Sequence, residues 1–127
     1  MKKPETAKER NLIKGSIRRV FSRSELRRQA IAKAQCAHRD PNRKRVTKWG
    51  RCEQCQTLTP LYLMEVDHIL PVIPLDKTLD DMTWDEVVES LWCDSKNLQA
   101  ICKDCHKLKT KEERRLRKAQ NVKKKSI

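Results

Sequence analysis

The chain has 127 residues, of which 37% are hydrophobic and 37% are charged, and its formal net charge is +13. A chain of this size has room for one small domain with a sparse core, and its charge favours a polyanionic partner, usually nucleic acid. No stretch resembles a membrane span or the apolar region of a signal peptide, so we expect no membrane partner and a cytoplasmic location.

The charge is unevenly distributed along the chain. Residues 1–51 contain 17 basic residues (Lys and Arg) and 4 acidic residues (Asp and Glu). Residues 52–101 contain 2 basic and 10 acidic residues, and residues 102–127 contain 11 basic and 3 acidic residues. Either basic arm alone would usually be a solvated surface. Two basic arms around an acidic centre favour flanks that bind DNA on either side of a cation site.

The first third of the chain predicts a basic arm and one helix. We expect residues 1–21 to form a flexible basic arm. The capping-box pattern SRSE at 22–25 predicts the start of an amphipathic helix that continues to Cys36. Turn signals follow at 38–45, and a short extended segment over 46–55 leads into a cysteine turn.

The rest of the chain predicts two strands and two helices. Residues 58–69 are typical of a strand, the capping box TWDE precedes a short helix over 84–92, and LQAIC at 98–102 is typical of a second strand. A helix should begin near residue 103 and break or restart at another capping-box match, TKEE. We expect residues 119–127 to be a disordered basic tail.

Four of the six cysteines form two C-x2-C pairs in a chain without a secretory signal, which favours metal binding over disulfides. Each pair can supply two thiolates to a tetrahedral zinc ion with Zn–S bonds of about 2.3 Å. The typical cysteine spacings of ferredoxins are absent, so zinc is favoured over an iron–sulfur cluster. The pairs are Cys52 with Cys55 and Cys102 with Cys105. Cys36 and Cys93 are expected to be small buried hydrophobes.

An Asp67–His68 pair lies between the two cysteine pairs, at the end of the first expected core strand. Such a pair in isolation is more often structural than catalytic. However, adjacent strand residues point to opposite sides, so one side chain could bind a metal while the other faces an attacking water. Imidazole titrates near neutral pH, which suits it to accept a proton from that water.

The motifs EVDHILP at 65–71, Asn97 before LQAIC, and CKDCHKLKT at 102–110 resemble, in this order, the HNH endonuclease family. The closest likeness is to its small phage-type members with a four-cysteine zinc knuckle, and it covers about residues 50–113. It implies an α+β fold with a ββα-metal (His-Me finger) core, stapled by the zinc site and flanked by basic helices. The strands would span about 62–69 and 98–101, within one nuclease domain over 22–118.

The resemblance also implies the roles of four residues. Asp67 and His106 would bind one catalytic divalent metal, His68 would be the general base, and Asn97 would hold the loop that carries the base. Thr110 stands where many members have a second histidine. The oxygen ligand favours Mg²⁺ or Mn²⁺, although the imidazole also admits Ni²⁺, Co²⁺ or Zn²⁺.

The implied activity is hydrolysis of DNA phosphodiester bonds, by nicking or double-strand cleavage, with 5′-phosphate and 3′-hydroxyl products. Phage members act beside the terminase, which implies a terminase or portal partner and the host cytoplasm. Basic residues of the first and last helices are expected to contact DNA phosphates. These residues are Arg18, Arg19, Arg23, Arg27, Arg28, Lys107, Lys109, Lys111, Arg114 and Arg115.

Two alternatives stay open at this point. A non-catalytic zinc-knuckle DNA-binding module would need the cysteines and the basic arms but not Asp67, His68 or Asn97. An interaction protein could instead dock a basic partner on its acidic segment 76–94, with the apolar residues of the 84–92 helix exposed. The sequence does not decide between a monomer and a dimer.

Overall fold

The computed structural model describes residues 6–43 and 47–125. Parts of three expected segments lie outside the described residues: 1–5 of the basic arm, 44–46 between the expected turn and the extended segment, and 126–127 of the tail. The helices are α1 (Ala7–Phe21), α2 (Glu25–Ala34), α3 (Trp84–Leu91) and α4 (Lys103–Lys125). The strands are β1 (Gln35–Cys36), β2 (Trp49–Arg51), β3 (Leu58–Pro60), β4 (Glu65–His68) and β5 (Leu98–Ile101).

The strands form two small antiparallel sheets, so the fold is α+β as expected. One sheet has the order β1-β2-β3, and the other pairs β4 with β5. In the second sheet Asp67 lies opposite Gln99 and His68 lies opposite Leu98. Helix α4 begins at Lys103, two residues after β5 ends, and packs against β4.

The N-terminal segment is a helix, and the expectation of a flexible arm is wrong for residues 7–21. Thr6 caps α1 by accepting a hydrogen bond from the backbone N–H of Glu9 at 3.1 Å. Ile17 and Phe21 lie one turn apart, and both pack in the main core cluster. This pair anchors a helix whose other positions are mostly polar or charged, which is why the apolar pattern is weak in the sequence.

Other element boundaries differ in detail from the expectations. Ser24, not Ser22, caps α2, because its side chain accepts from the N–H of Arg27. The expected helix to Cys36 ends at Ala34, and the next two residues form β1. The capping box of α3, with Thr83 and Glu86, is confirmed.

The expected strand over 58–69 is two strands separated by a one-turn 3-10 helix at Leu61–Leu63. Pro60 ends β3, because proline has no N–H with which to continue the ladder. Helix α4 does not break at 110–113, and it extends through the expected tail as far as Lys125. Ion pairs such as that of Glu112 with Arg115 stabilise its exposed surface.

The core lies between α1, α2, α3 and the β4–β5 sheet. Its main cluster contains Phe21, Ala30, Val72, Val87, Leu91 and Leu98. Val87 and Leu91 are almost fully buried in this cluster, whereas Val88 and Trp92 are 40% and 37% exposed. The apolar side of α3 therefore serves mainly the core, and only two of its apolar neighbours remain at the surface. No helix within the described ranges is long and apolar enough to cross a membrane.

Gly50 in β2 lies where backbone and side chains meet too closely for any larger residue. An added Cβ would lie 2.8 Å from Leu61 Cδ2, 2.8 Å from Met64 Sδ and 2.9 Å from the carbonyl oxygen of Ala34. We expect Gly50→Ala to lower the free energy of unfolding by about 1–3 kcal/mol through overpacking.

Gly15 in α1 is the matched control for this prediction. An added Cβ there would meet only Arg19 Nη1 at 3.8 Å. Gly15→Ala should therefore raise the free energy of unfolding by about 0.5–1 kcal/mol, because alanine favours the helix. Urea denaturation of the zinc-loaded proteins measures both changes. If Gly50→Ala were as stable as the unsubstituted protein, the close packing at Gly50 would be contradicted.

Candidate metal centre and active site

The four cysteines of the C-x2-C pairs come together in one cluster, as the sequence predicts. Cys52 and Cys55 lie in the turn after β2, Cys102 follows β5, and Cys105 lies in the first turn of α4. Their sulfur atoms all lie within 4.8 Å of one another, and the Cys55 and Cys102 sulfurs are 3.8 Å apart. Tetrahedral zinc with bonds of about 2.3 Å needs sulfur–sulfur distances of about 3.8 Å. The cluster therefore fits a structural metal such as zinc.

The turn that carries the first cysteine pair is bonded to β5. The N–H of Glu53 donates to the carbonyl of Ala100 at 3.0 Å, and the N–H of Ala100 donates to the Glu53 carboxylate at 2.6 Å. Gln56 closes the turn with a φ of 64°, and its N–H donates to the carbonyl of Cys52. These bonds fix the position of one cysteine pair relative to the strand that leads into the other.

The sulfur atoms are electrostatically unequal without a cation. Hydrogen bonds from the side chain and backbone of Thr57 lower the pKa of Cys55 to about 6. Burial, together with hydrogen bonds to the other three sulfurs, raises the pKa of Cys105. Burial opposes ionisation of Cys52, but backbone hydrogen bonds outweigh it and lower its pKa, whereas the pKa of Cys102 is raised. The four thiols therefore do not ionise equally, and a divalent cation would stabilise all four as thiolates.

Asp67 lies on β4 with its side chain 13% exposed, and it is paired with a cation from α4. The amino group of Lys109 lies 3.0 Å from Asp67 Oδ2, and Gln99 Nε2 donates to the same oxygen at 3.1 Å. Lys109 also donates to Glu113 and to the carbonyl of His68. Both contacts of the Asp67 carboxylate are on Oδ2, which leaves Oδ1 for a further cation.

The environment of Lys109 keeps its charge in place. Burial opposes ionisation, but the hydrogen bonds to Glu113 and Asp67 outweigh it and raise the pKa of Lys109 above 10.5. Its side chain is 16% exposed. In this structure the amino group of Lys109 therefore bonds to protein groups, and it is not placed at the surface to contact DNA phosphate as the sequence predicts.

His106, directly after Cys105, is oriented by a carboxylate of β4. Its Nδ1 lies 2.6 Å from Glu65 Oε2. A carboxylate accepts the N–H of this nitrogen, so the neutral ring has its lone pair on Nε2 and can bind a metal there. Glu65 and Asp67 are two residues apart on β4 and therefore point to the same face of the strand. Both contact side chains of α4.

His68 points the other way, towards the core and α3. Its Nε2 lies 2.8 Å from the carbonyl oxygen of Leu91, and its ring packs against Phe21 with centroids 5.2 Å apart. A carbonyl can only accept, so Nε2 carries the proton and Nδ1 is the proton acceptor of the neutral ring. This is the tautomer that a general base needs.

Asn97 bonds to the loop that follows His68. Its Oδ1 accepts from the N–H of Leu70 at 2.8 Å, its Nδ2 donates to the carbonyl of Leu70 at 3.2 Å, and its carbonyl accepts from the N–H of Ile69. Three hydrogen bonds thus hold the two residues after His68. The side chain is well placed to orient the loop and does not line the cleft described next.

Asp67, His68 and His106 line one cleft of about 770 Å³. Cations from three helices line the same cleft, namely Lys14 and Arg18 of α1, Arg27 of α2 and Arg117 of α4. Arg18 and Arg27 belong to the predicted phosphate-contacting set. Its other members lie outside the cleft lining: Arg19, Arg23, Arg28, Lys107, Lys109, Lys111, Arg114 and Arg115.

Sequence reasoning missed four residues of this site: Glu65, Glu113, Lys14 and Arg117. The first two could have been found from spacing, because Glu65 precedes Asp67 by two strand positions and Glu113 follows His106 by about two helical turns. Arg117 carries no such signal, because the residues around it are equally basic, and Lys14 is a lone lysine between Ile13 and Gly15 that no motif singles out.

Within residues 6–43 and 47–125, the cysteine cluster is the one compact group of three or more potential metal ligands. Asp67 and His106 therefore do not meet a third such ligand. No family model, no curated protein and no solved structure matches the chain. The function has to be inferred from the side chains of the cleft.

The sulfur cluster predicts a specific effect of losing one thiol. We expect Cys102→Ser to lower zinc affinity by more than about 100-fold, because even indirect changes around a metal ligand cost about 10–100-fold. Cys36→Ser, in β1 and outside the cluster, is the control and should retain one zinc ion per chain. Metal content after dialysis against a zinc chelator measures the difference, and equal retention would exclude a zinc site.

The ion pairs of Lys109 predict a difference in stability between two lysines of α4. Lys109→Met leaves two half-buried carboxylates without their cation and should lower the free energy of unfolding by about 1–3 kcal/mol at pH 7. Lys107→Met, on the exposed face, should change it by less than about 0.5 kcal/mol. Urea denaturation compares them, and equal effects would contradict the contacts.

The sign of the pH dependence follows from the same contacts. Because the folded-state pKa of Lys109 is raised, its stabilisation is complete below pH 10.5 and is lost as the pH rises through the folded-state value. The difference between Lys109→Met and the unsubstituted protein should therefore be constant near neutral pH and shrink in strong alkali.

Proposed function

We propose that this protein is a metal-dependent endonuclease of the HNH type that hydrolyses DNA phosphodiester bonds. The observation that carries the proposal is the orientation of His68 by the Leu91 carbonyl, 2.8 Å from Nε2, in a basic cleft shared with Asp67 and His106. A neutral imidazole held with Nδ1 free to accept a proton, beside two metal-binding side chains, suits hydrolysis of a phosphodiester. DNA as the substrate is supported by the net charge of +13.

In this mechanism His68 accepts the proton of an attacking water at Nδ1. Its Nε2–H stays on the Leu91 carbonyl, which stabilises the imidazolium as it forms. Asn97 keeps the following loop in place through its bonds to Leu70, while the bond to the Leu91 carbonyl orients the ring itself. General-base catalysis of this kind contributes about 10²–10⁴-fold to a rate.

Asp67 through Oδ1 and His106 through Nε2 would bind the catalytic divalent ion. That ion would polarise the scissile phosphate and stabilise the charge on the leaving oxygen. Mg²⁺ or Mn²⁺ suits a site with one carboxylate, one imidazole and open positions for water and phosphate, and Ni²⁺, Co²⁺ or Zn²⁺ is the alternative. The proposed products have 5′-phosphate and 3′-hydroxyl ends.

The wider setting is proposed from the motif resemblance alone. It favours a phage-encoded enzyme that acts in the host cytoplasm beside a terminase or portal protein. The structural zinc of the four-cysteine cluster would place His106, since this residue directly follows Cys105 in the chain.

A second candidate is a zinc-knuckle DNA-binding module without catalysis. The observation in its favour is that both carboxylates of β4 already have partners from α4, with Lys109 on Asp67 and His106 on Glu65. A binding module would keep the cysteine cluster and the basic cleft and would not depend on His68.

Cleavage of supercoiled plasmid distinguishes the two candidates. With Mg²⁺ or Mn²⁺ added to the zinc-loaded protein, we expect nicked or linear DNA. His68→Ala should lower the rate by about 10²–10⁴-fold while DNA affinity stays within about twofold. His38→Ala is the matched control, because His38 packs on Trp49 outside the cleft and should leave the rate unchanged.

The negative result is equally informative. Tight DNA binding without cleavage, with Mg²⁺, Mn²⁺, Ni²⁺, Co²⁺ or Zn²⁺ in turn, would reject the nuclease and favour the binding module. Equal rates for His68→Ala and His38→Ala would reject His68 as the base.

A further inference from the structure

Three cations from opposite ends of the chain line the catalytic cleft. Lys14 and Arg18 lie one turn apart on α1, and Arg117 lies near the end of α4. Lys14 and Arg117 carry no role in the proposed mechanism. Carboxylates line the same cleft, but Asp67 and Glu113 are bonded to Lys109, and the cations of the lining outnumber its carboxylates. Because grouping like charges is unfavourable, this excess of positive charge favours a ligand of opposite charge.

Arg117 is fixed by neutral partners. Its guanidinium donates to the backbone carbonyls of Ile73 at 2.6 Å, Pro74 at 3.1 Å and Lys77 at 3.2 Å. Carbonyl groups hold the guanidinium in one orientation but leave its full positive charge in place. The loop after β4 thus presents a preorganised cation to the cleft.

The surroundings of Lys14 show that the three charges act on one another. Burial, followed by the repulsion of Arg18 and Arg117, lowers the pKa of Lys14. Neither Lys14 nor Arg18 forms an ion pair within the part of the chain that the structure describes. An arriving anion would relieve the repulsion and gain three charge-assisted contacts.

We propose that Lys14, Arg18 and Arg117 form a subsite for a second phosphate group of the DNA strand whose scissile phosphate lies at His68. The identity of the ligand as DNA rests on the proposed function. The subsite differs from a general basic surface because it lies inside the cleft, and Arg117 is held rigidly rather than free in solvent. The subsite would direct the DNA strand from His68 towards α1.

The test compares neighbouring cations of α1 inside and outside the cleft. Arg18→Gln is paired with Arg19→Gln, and Lys14→Gln is paired with Lys8→Gln. Arg19 and Lys8 are exposed and do not line the cleft. Arg117 is left unchanged, because its bonds to three carbonyls make its replacement a risk to folding.

Affinity for a short fluorescein-labelled duplex is measured by anisotropy on zinc-loaded protein without Mg²⁺ or Mn²⁺, so that no cleavage occurs. Arg18→Gln and Lys14→Gln should each weaken binding by about tenfold and lower the slope of log K against log salt by about 0.9. Arg19→Gln and Lys8→Gln should weaken it by less than about twofold. Circular dichroism confirms that all four variants are folded.

Equal effects within each pair would overturn the subsite, since a diffuse basic surface does not distinguish neighbouring cations. Cleavage by the unsubstituted protein is scored separately. A protein that does not cut DNA but retains the difference within the pairs would reject the nuclease and support the subsite. A protein that cuts DNA but shows no such difference would support the nuclease and reject the subsite.

Discussion

The close approach of four sulfur atoms is the constraint on which the rest of the molecule depends. It joins the turn after β2 to the first turn of α4, two segments separated by 46 residues of chain. The bonds between Glu53 and Ala100 add β5 to the same junction. With a core of few large side chains, a domain of this size depends on such a staple for its stability. The cluster also fixes the start of α4, and therefore the position of His106, which directly follows Cys105.

Strand β4 places the side chains of the candidate site on two faces, because successive residues of a strand point to opposite sides. Its odd-numbered residues, Glu65 and Asp67, meet α4 and its cationic or imidazole side chains. His68 lies on the other face against Phe21 and the carbonyl of Leu91. The pleat alone therefore separates the proposed metal ligand Asp67 from the proposed proton acceptor His68. A one-residue slip of β4 against β5 would exchange the two sets.

The parts of the fold that could be predicted are those with local signals. The cysteine spacing indicates the sulfur cluster, Thr83 and Glu86 indicate the start of α3, and the Asp67–His68 pair indicates the strand end that lines the cleft. Helix α1 was missed because its stabilising contacts are tertiary: Phe21 packs on α3 and β5 residues far along the chain. The continuity of α4 past residue 110 depends on side-chain pairs along the helix, which compete with a capping-box pattern of equal strength.

The position of Lys109 differs from the prediction for a related reason. No sequence pattern says whether a lysine in a basic helix faces solvent or a carboxylate. The one positive charge of Lys109 offsets part of the negative charge of the Asp67 and Glu113 carboxylates in the absence of a divalent ion. The four thiols have no such internal cation, and their pKa values are driven apart instead. A metal bound to the sulfur cluster would remove this difference and stabilise the fold, whereas the proposed catalytic ion would meet an Asp67 carboxylate that already has a partner.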